Sequence, residues 1–322
     1  MFNFAILTAG NIAGQMAATV CKMPEVHAYA IAARSESRAQ DMATQYGFEK
    51  AYGSYEALFA DPNVDIIYVA SPHSHHYAHA KAALLAGKHV LCEKAFTTAA
   101  PLGEELFRLA NEKNRVILDA TWTRFMPFAK ALAGMIESGE IGTALTLEAS
   151  FGFPLDTVPR MAEPALAGGA LLDLGIYPLT FASIAFGPDF KAVQSLCQKT
   201  EKGVDAYSAI TVQWQNGRIG TLTCNMQAAL ANCGIIYGTN GKITVPDFWH
   251  ANRIIVQPTG QAPREHVFLH DISGYEYEVR ELCRLITASE AESPLLPHSE
   301  TLRILSVMDA LRAEWGVRYP FE

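Results

Sequence analysis

The chain has 322 residues, half of them hydrophobic and 18% charged, with a formal net charge of -8. That length exceeds what one comfortable core takes and predicts two domains. The acidic balance argues against a broad basic footprint for nucleic acid or an anionic membrane.

No uninterrupted apolar stretch approaches membrane-spanning length. The opening residues MFNFAILTAGNIAG lack the basic start of a secretory signal. Six cysteines (Cys21, Cys92, Cys197, Cys224, Cys233, Cys283) without a CxxC pair read as reduced core thiols. These features predict a cytoplasmic protein.

From Phe2 to about Ala120, short apolar runs alternate with helical patterns. FAILTA precedes GQMAATVCKM, HAYAIAA precedes SRAQDMATQYG, IIYVAS precedes HYAHAKAALLAG, HVLCEK precedes PLGEELFRLANEK, and VILDAT follows. Such repeats predict an N-terminal Rossmann-like parallel sheet with helices on both faces, with ligands beyond the carboxyl ends of the strands. The first run ends TAGNIAG. Thr8, Gly10 and Ala13 occupy the three glycine positions of a dinucleotide fingerprint, and Ala9, Gly10, Asn11 and Ile12 form the expected pyrophosphate turn.

The second run ends in Arg34, with Ser35 and Arg38 beyond it, where an NAD site would carry an acidic residue. Two guanidinium groups and a hydroxyl suit a 2'-phosphate instead and favour NADP over NAD. The third run ends Ser71-Pro72-His73-Ser74-His75-His76. No acidic or cysteine partner completes a metal set there, so Ser71, Pro72, His73 and His76 read as cofactor-loop residues. The fourth run ends in Glu93 and Lys94, an unusual pair of charges at a strand end.

Beyond Trp122 the rhythm changes. LTLEASFGF, AITVQW, IGTLTCNM and IIYGTN are longer strand-like runs, with Asn216-Gly217 and Asn240-Gly241 as hairpin signals. YEYEVRELCRLIT and TLRILSVMDALRAEW are helical, the second with Ser299 as its N-cap. The fold class expected is α/β, with residues 1–121 as the dinucleotide-binding domain. Residues 122–322 form an α+β domain with a large, mostly antiparallel sheet, whose last helix is free to pack back on the first domain. In GGALLDLGIYPL, Asp173 and Tyr177 lie four residues apart, so one helix face carries both.

The glycine turn, CEKAFTT and GGALLDLGIYPL together resemble the glucose-fructose oxidoreductase, inositol dehydrogenase and MocA-like family of NAD(P) oxidoreductases. AARSESRA, AYGSYEAL, LCEK, WTRFMP and GGALLDLGIYPL are most similar to its dimeric dihydrodiol dehydrogenase branch, which also oxidises D-xylose. The resemblance implies an E-K-P lysine beside the nicotinamide; Glu93 and Lys94 match its first two positions and Ala95 replaces the proline. It implies that Tyr177, where inositol dehydrogenase-like members carry histidine, handles the substrate proton. Trp122 and Arg124 fall beside the cofactor, and Trp122, Phe151 and Trp249 in segments similar to the substrate wall. It also implies a homodimer through the C-terminal sheet.

The expected reaction moves a hydride between NADP and a carbon of a cyclic diol or aldose, the partner being a small polyol, sugar or dihydrodiol. A phenol ordinarily titrates near 10, and a close ammonium favours its phenolate. Tyr177 would take the hydroxyl proton with Lys94 as its partner; the reverse assignment fits the sequence as well. Asp173 would position the lysine or a substrate hydroxyl. The alternative, from another class, is a dinucleotide-binding sensor of the same fold without turnover.

Overall fold

The computed structural model describes all 322 residues, which form two compact units. One unit comprises Met1–Trp122 with Asp271–Thr301, the other Thr123–His270 with Leu302–Glu322. The sequence rhythm changes near Thr121. Nothing in the helical pattern after Tyr275 tells which unit that helix joins.

In the first unit the strands are β1 (Phe2–Leu7), β2 (Val26–Ala32), β3 (Lys50–Tyr52), β4 (Ile66–Val69), β5 (His89–Glu93) and β6 (Ile117–Ala120). They pair in parallel in the order β3-β2-β1-β4-β5-β6. The helices between them are α1 (Asn11–Val20), α2 (Glu36–Tyr46), α3 (Tyr55–Ala60), α4 (His73–Leu85) and α5 (Ala100–Lys113). Phe4, Ile6, Leu7, Ile31, Ile66, Tyr68, Val90 and Leu91 are fully buried, as a sheet covered on both faces requires. The sequence reading missed β3, an edge strand of three residues (KAY) too short to show alternation.

The second unit begins with α6 (Pro127–Glu137), β7 (Ala144–Gly152), α7 (Pro159–Ala162) and α8 (Ile176–Phe186). Seven strands follow: β8 (Phe190–Lys199), β9 (Asp205–Trp214), β10 (Ile219–Asn225), β11 (Cys233–Gly238), β12 (Gly241–Pro246), β13 (Arg253–Pro258) and β14 (Arg264–Val267). They join β7 in one sheet, ordered β14-β13-β12-β11-β7-β10-β9-β8, in which only β7 and β10 pair in parallel. Both Asn-Gly turns fall where expected, joining β9 to β10 and β11 to β12. One face of the sheet packs on α8.

The last two helices are α9 (Glu276–Ala288), which lies against β6 in the first unit, and α10 (His298–Trp315). Helix α10 starts at His298, with the Pro297 carbonyl accepting from Glu300 and Thr301; Ser299 therefore lies inside the first turn and is not its N-cap. Two further expectations are corrected. The run Pro164–Phe186 is long and apolar enough to cross a membrane, with Asp173 its one charged residue; residues 167 to 185 are all buried within the protein, where their apolarity serves the core. All six cysteines are free thiols, but Cys21 is exposed and only Cys92, Cys224 and Cys283 are buried.

Candidate active site

The candidate nucleotide-binding residues stand at the carboxyl ends of β1, β2, β4 and β5. Gly10 precedes α1 with extended backbone, and no side chain caps that helix or adds a carboxylate to its first turn. A Cβ built on Gly10 would meet nothing within 4 Å. An uncapped helix start behind open glycine backbone is the arrangement that receives a pyrophosphate, so the residues fit a dinucleotide. Thr8, at the first glycine position, sits at φ 97, a conformation costing a β-branched residue roughly 1–3 kcal/mol. Its hydroxyl donates to the Ala70 carbonyl at 2.8 Å and its N–H to Ala32 at 2.9 Å, tying the end of β1 to its neighbouring strand ends.

Arg38 donates from Nη2 to the Ala9 carbonyl at 2.8 Å and so braces the glycine turn. The Ser35 hydroxyl accepts the Arg38 N–H at 3.5 Å as the cap of α2. Arg34 is exposed beside them. Sequence reasoning missed Tyr55, whose ring meets that of His79 edge to face at 4.9 Å. Both feel the Arg34 charge. Burial, then the charges of His75 and His76, push the His79 imidazole down to about 4, so it is neutral at physiological pH.

His73 and His76 lie in the first turn of α4, with their rings 5.5 Å apart. His76 is buried, Nδ1 facing the Ala95 carbonyl at 2.8 Å and Nε2 the Ser71 carbonyl at 2.7 Å. It therefore bridges the loops that follow β4 and β5. Burial lowers its pKa against the pull of those two carbonyls; the neutral ring donates to one of them only.

Glu93 is buried at the end of β5 and accepts the Tyr68 hydroxyl. Half-buried Lys94 follows, and the Lys94–Ala95 peptide is cis. Further carboxyls lie within this unit. Asp119 accepts the hydroxyls of Thr121 at 2.8 Å and Thr301 at 3.0 Å, and burial pushes it up to about 6. Glu278 is fully buried with neither carboxyl oxygen hydrogen-bonded. Burial, followed by the charges of Glu93 and Asp119, raises it well above the usual carboxyl range. Trp122 stacks on Tyr275 with ring centres 4.1 Å apart, and the Tyr275 hydroxyl donates to Gln15 at 3.0 Å. No spacing in the sequence links Tyr275 to that stack.

In the second unit Asp173 and Tyr177 are buried at 6% and 7% exposure. The regular helix expected around them starts instead with a π turn, Leu171–Gly175, in which the Ile176 N–H reaches back to the Leu171 carbonyl. Pro178, three residues beyond that turn, has no N–H to donate and cannot make an α-helical bond back to Leu174. Asp173 accepts from Arg160 Nη1 at 2.5 Å. Arg160 lies on α7, thirteen residues upstream, and no sequence pattern identified it.

Tyr177 lies 4.8 Å, ring centre to ring centre, from Phe151, which is 4.9 Å from Trp249; Phe153 stands 5.7 Å from the same indole. The Trp249 carbonyl accepts the Thr123 hydroxyl at 2.6 Å. Phe151, Trp249 and Tyr177, singled out separately in the sequence, thus form one aromatic wall. Arg124 ends the short 3-10 turn Trp122–Arg124.

Residues 2–120 match the oxidoreductase family with NAD-binding Rossmann fold, and residues 129–244 the GFO/IDH/MocA C-terminal domain. The chain is 32% identical to trans-1,2-dihydrobenzene-1,2-diol dehydrogenase of Sus scrofa, over 98% of both chains. A 3-ketoreductase from Actinomadura kijaniata, solved with NADP and TDP-benzene, is 25% identical with a TM-score of 0.89 over 97% of each chain. Aldose-aldose oxidoreductase from Caulobacter crescentus shares the fold, with a TM-score of 0.88 at 21% identity over 98% of this chain and 97% of its own. A parallel sheet with an open glycine turn, a second unit built on one large sheet, and full-length similarity to a dehydrogenase make this chain a member of the GFO/IDH/MocA family of NAD(P)-dependent oxidoreductases.

Proposed function

We propose that the protein is an NADP-preferring dehydrogenase that oxidises a secondary alcohol or lactol carbon of a cyclic diol or aldose. The observation that carries this reading is the aromatic wall around Tyr177: a buried phenol against Phe151, which in turn meets Trp249, with an ionic Asp173–Arg160 pair one turn away. Aromatic faces suit the apolar ring of a dihydrodiol or the C–H face of a sugar, and the carboxylate suits its hydroxyls. The similarity to a dihydrodiol dehydrogenase supports the same substrate class.

The bound nicotinamide supplies the hydride acceptor or donor, and the protein orients the reactants and moves one proton. Ala9 to Ile12 receive the pyrophosphate; Arg34, Arg38 and Ser35 receive the 2'-phosphate; Ser71 to His73 and His76 shape the nicotinamide side, with Glu93, Trp122 and Arg124. Tyr177 takes the hydroxyl proton at its phenolic oxygen. Lys94 is its partner in handling that proton, and Asp173 orients a substrate hydroxyl. The outer face of the large sheet, with Leu196 81% exposed and Tyr207 43% exposed, is the face that pairs two copies in a cytoplasmic homodimer.

The test is a coenzyme-absorbance screen of dihydrodiols, aldoses and small dicarbonyls with both coenzymes, accompanied by light scattering. Turnover of a diol or aldose with a higher kcat/KM for NADP is expected, from a particle of twice 35.1 kDa. NAD preference removes the role given to Arg34 and Arg38, no turnover of any diol or aldose removes the substrate class, and a monomer removes the dimer.

A further inference from the structure

The two glycines that open GGALLDLGIYPL are enclosed on both sides. A Cβ on Gly168 would strike the Met161 carbonyl, and one on Gly169, at φ 121, would strike the Asp205 carboxylate. Asp205, the first residue of β9, is fully buried. Its Oδ2 accepts the Leu171 N–H at 2.5 Å, and the N–H groups of Ala170 and of Asp205 itself also stabilise the carboxylate. The Ala170 and Leu171 N–H groups begin the helical run through Tyr177, where donors lack intrahelical partners and a negative charge is favoured. From the other side the Tyr319 hydroxyl donates to the Gly168 carbonyl at 3.0 Å, and Arg312 lies 4.6 Å over the Tyr319 ring. The carboxylate is thus the acceptor at the root of the segment that presents Asp173 and Tyr177.

We infer that Asp205 is a positioning residue for the reaction: its ionised carboxylate fixes the first turn of the Leu171–Tyr177 segment, and protonation releases that turn. The inference rests on the assignment of Tyr177 made above. The charged and titratable groups facing Asp205 are Cys197 on β8, Cys224 on β10, Arg312 on α10 and Tyr319 beyond it. Burial pushes both thiols up to about 12 and raises the Tyr319 phenol, so all three stay neutral, and Arg312 stays cationic. Burial pushes Asp205 up to about 7 against the pull of the backbone N–H groups and Arg312. Of these groups, Asp205 changes charge near neutrality.

Asp205→Asn imitates the protonated anchor without altering its shape. In the full chain with saturating NADP, wild-type kcat should fall about tenfold below an inflection near pH 7. The variant should show no such inflection and hold the wild-type low-pH value throughout, with its NADP affinity unchanged. A carboxyl whose folded pKa is raised loses folding stability as pH climbs from its unfolded value, so at pH 8 the variant's Tm should equal or exceed wild type. That combination separates positioning from mere structural support. Wild-type turnover at pH 8, or a retained inflection, overturns the inference.

Should the variant not fold, carbon NMR of aspartate-labelled wild type decides. A buried carboxyl titrating in step with kcat supports the anchor, and none titrating near pH 7 overturns it. Tyr177→Phe, assayed in parallel, keeps the two claims apart. Its full activity removes the reading beneath the inference, whereas an inactive Tyr177→Phe beside a wild-type-like Asp205→Asn removes only the anchor.

Discussion

The two units place their candidate site residues in opposite ways. In the first, they stand at strand ends and helix starts, on short segments after β1, β2, β4 and β5. In the second, Tyr177 belongs to a helix buried on every side, since each residue from Ile176 to Ala185 is buried. A strand-end site is built from open backbone and the short loops that follow the strands. A core-helix site depends on packing, and its acid and phenol must be held by partners such as Arg160 and Asp205.

The buried carboxyls sharpen the contrast. Asp205 accepts the Leu171 N–H at Oδ2 while its Oδ1 is buried without a hydrogen-bond partner, whereas Glu278 in the first unit has neither oxygen hydrogen-bonded and lies within the field of Glu93 and Asp119. One has a structural duty; the other is a stability cost carried in the core.

The largest expected effect that would break this comparison comes from Lys94→Ala. Loss of the ammonium from a strand-end position should lower kcat by roughly 10²–10⁴-fold at every pH, with the far-ultraviolet spectrum unchanged. Retained turnover would leave the first unit with coenzyme binding alone. Next comes the pair Arg34→Ala and Arg38→Ala. Lost charge-assisted bonds, about 1.5–3 kcal/mol, should weaken NADP binding by about 10–150-fold while NAD changes much less. An equal loss for both coenzymes would show that Arg38 acts through its bond to Ala9 alone.

The smallest effect concerns Glu278→Gln. Because the folded-state pKa of Glu278 is raised, the group binds a proton when folded and loses it when unfolded at neutral pH. Its contribution to stability therefore falls as pH climbs above about 4.3, the usual glutamate value. The glutamine variant should melt a few degrees higher than wild type at pH 8, on the order of 1 kcal/mol, and show little gain at pH 4. A lower Tm at pH 8 would mean that the carboxylate has a stabilising partner.

Legibility in the sequence follows the same division. The βα alternation, both Asn-Gly hairpins and the glycine turn were readable because each depends on local chemistry: apolar runs, left-handed turns and missing side chains. β3 escaped because three residues carry no period. β8, β12, β13 and β14 escaped because polar and apolar residues on a half-covered sheet blur the alternation. Tyr177 could not be found by periodicity at all, since a helix buried all round has no polar face to contrast with. It was reached by the resemblance of GGALLDLGIYPL. Arg160, Asp205 and Tyr275 were illegible because each meets its partner only through the tertiary fold.

The central claim is that Tyr177 moves the proton while the first unit holds the coenzyme independently. Tyr177→Phe tests it most directly, with NADP affinity by fluorescence titration and kcat on the best diol or aldose measured on the same sample. The account predicts an NADP Kd within about twofold of wild type and a kcat lower by roughly 10²–10⁴-fold. Undiminished kcat would contradict it.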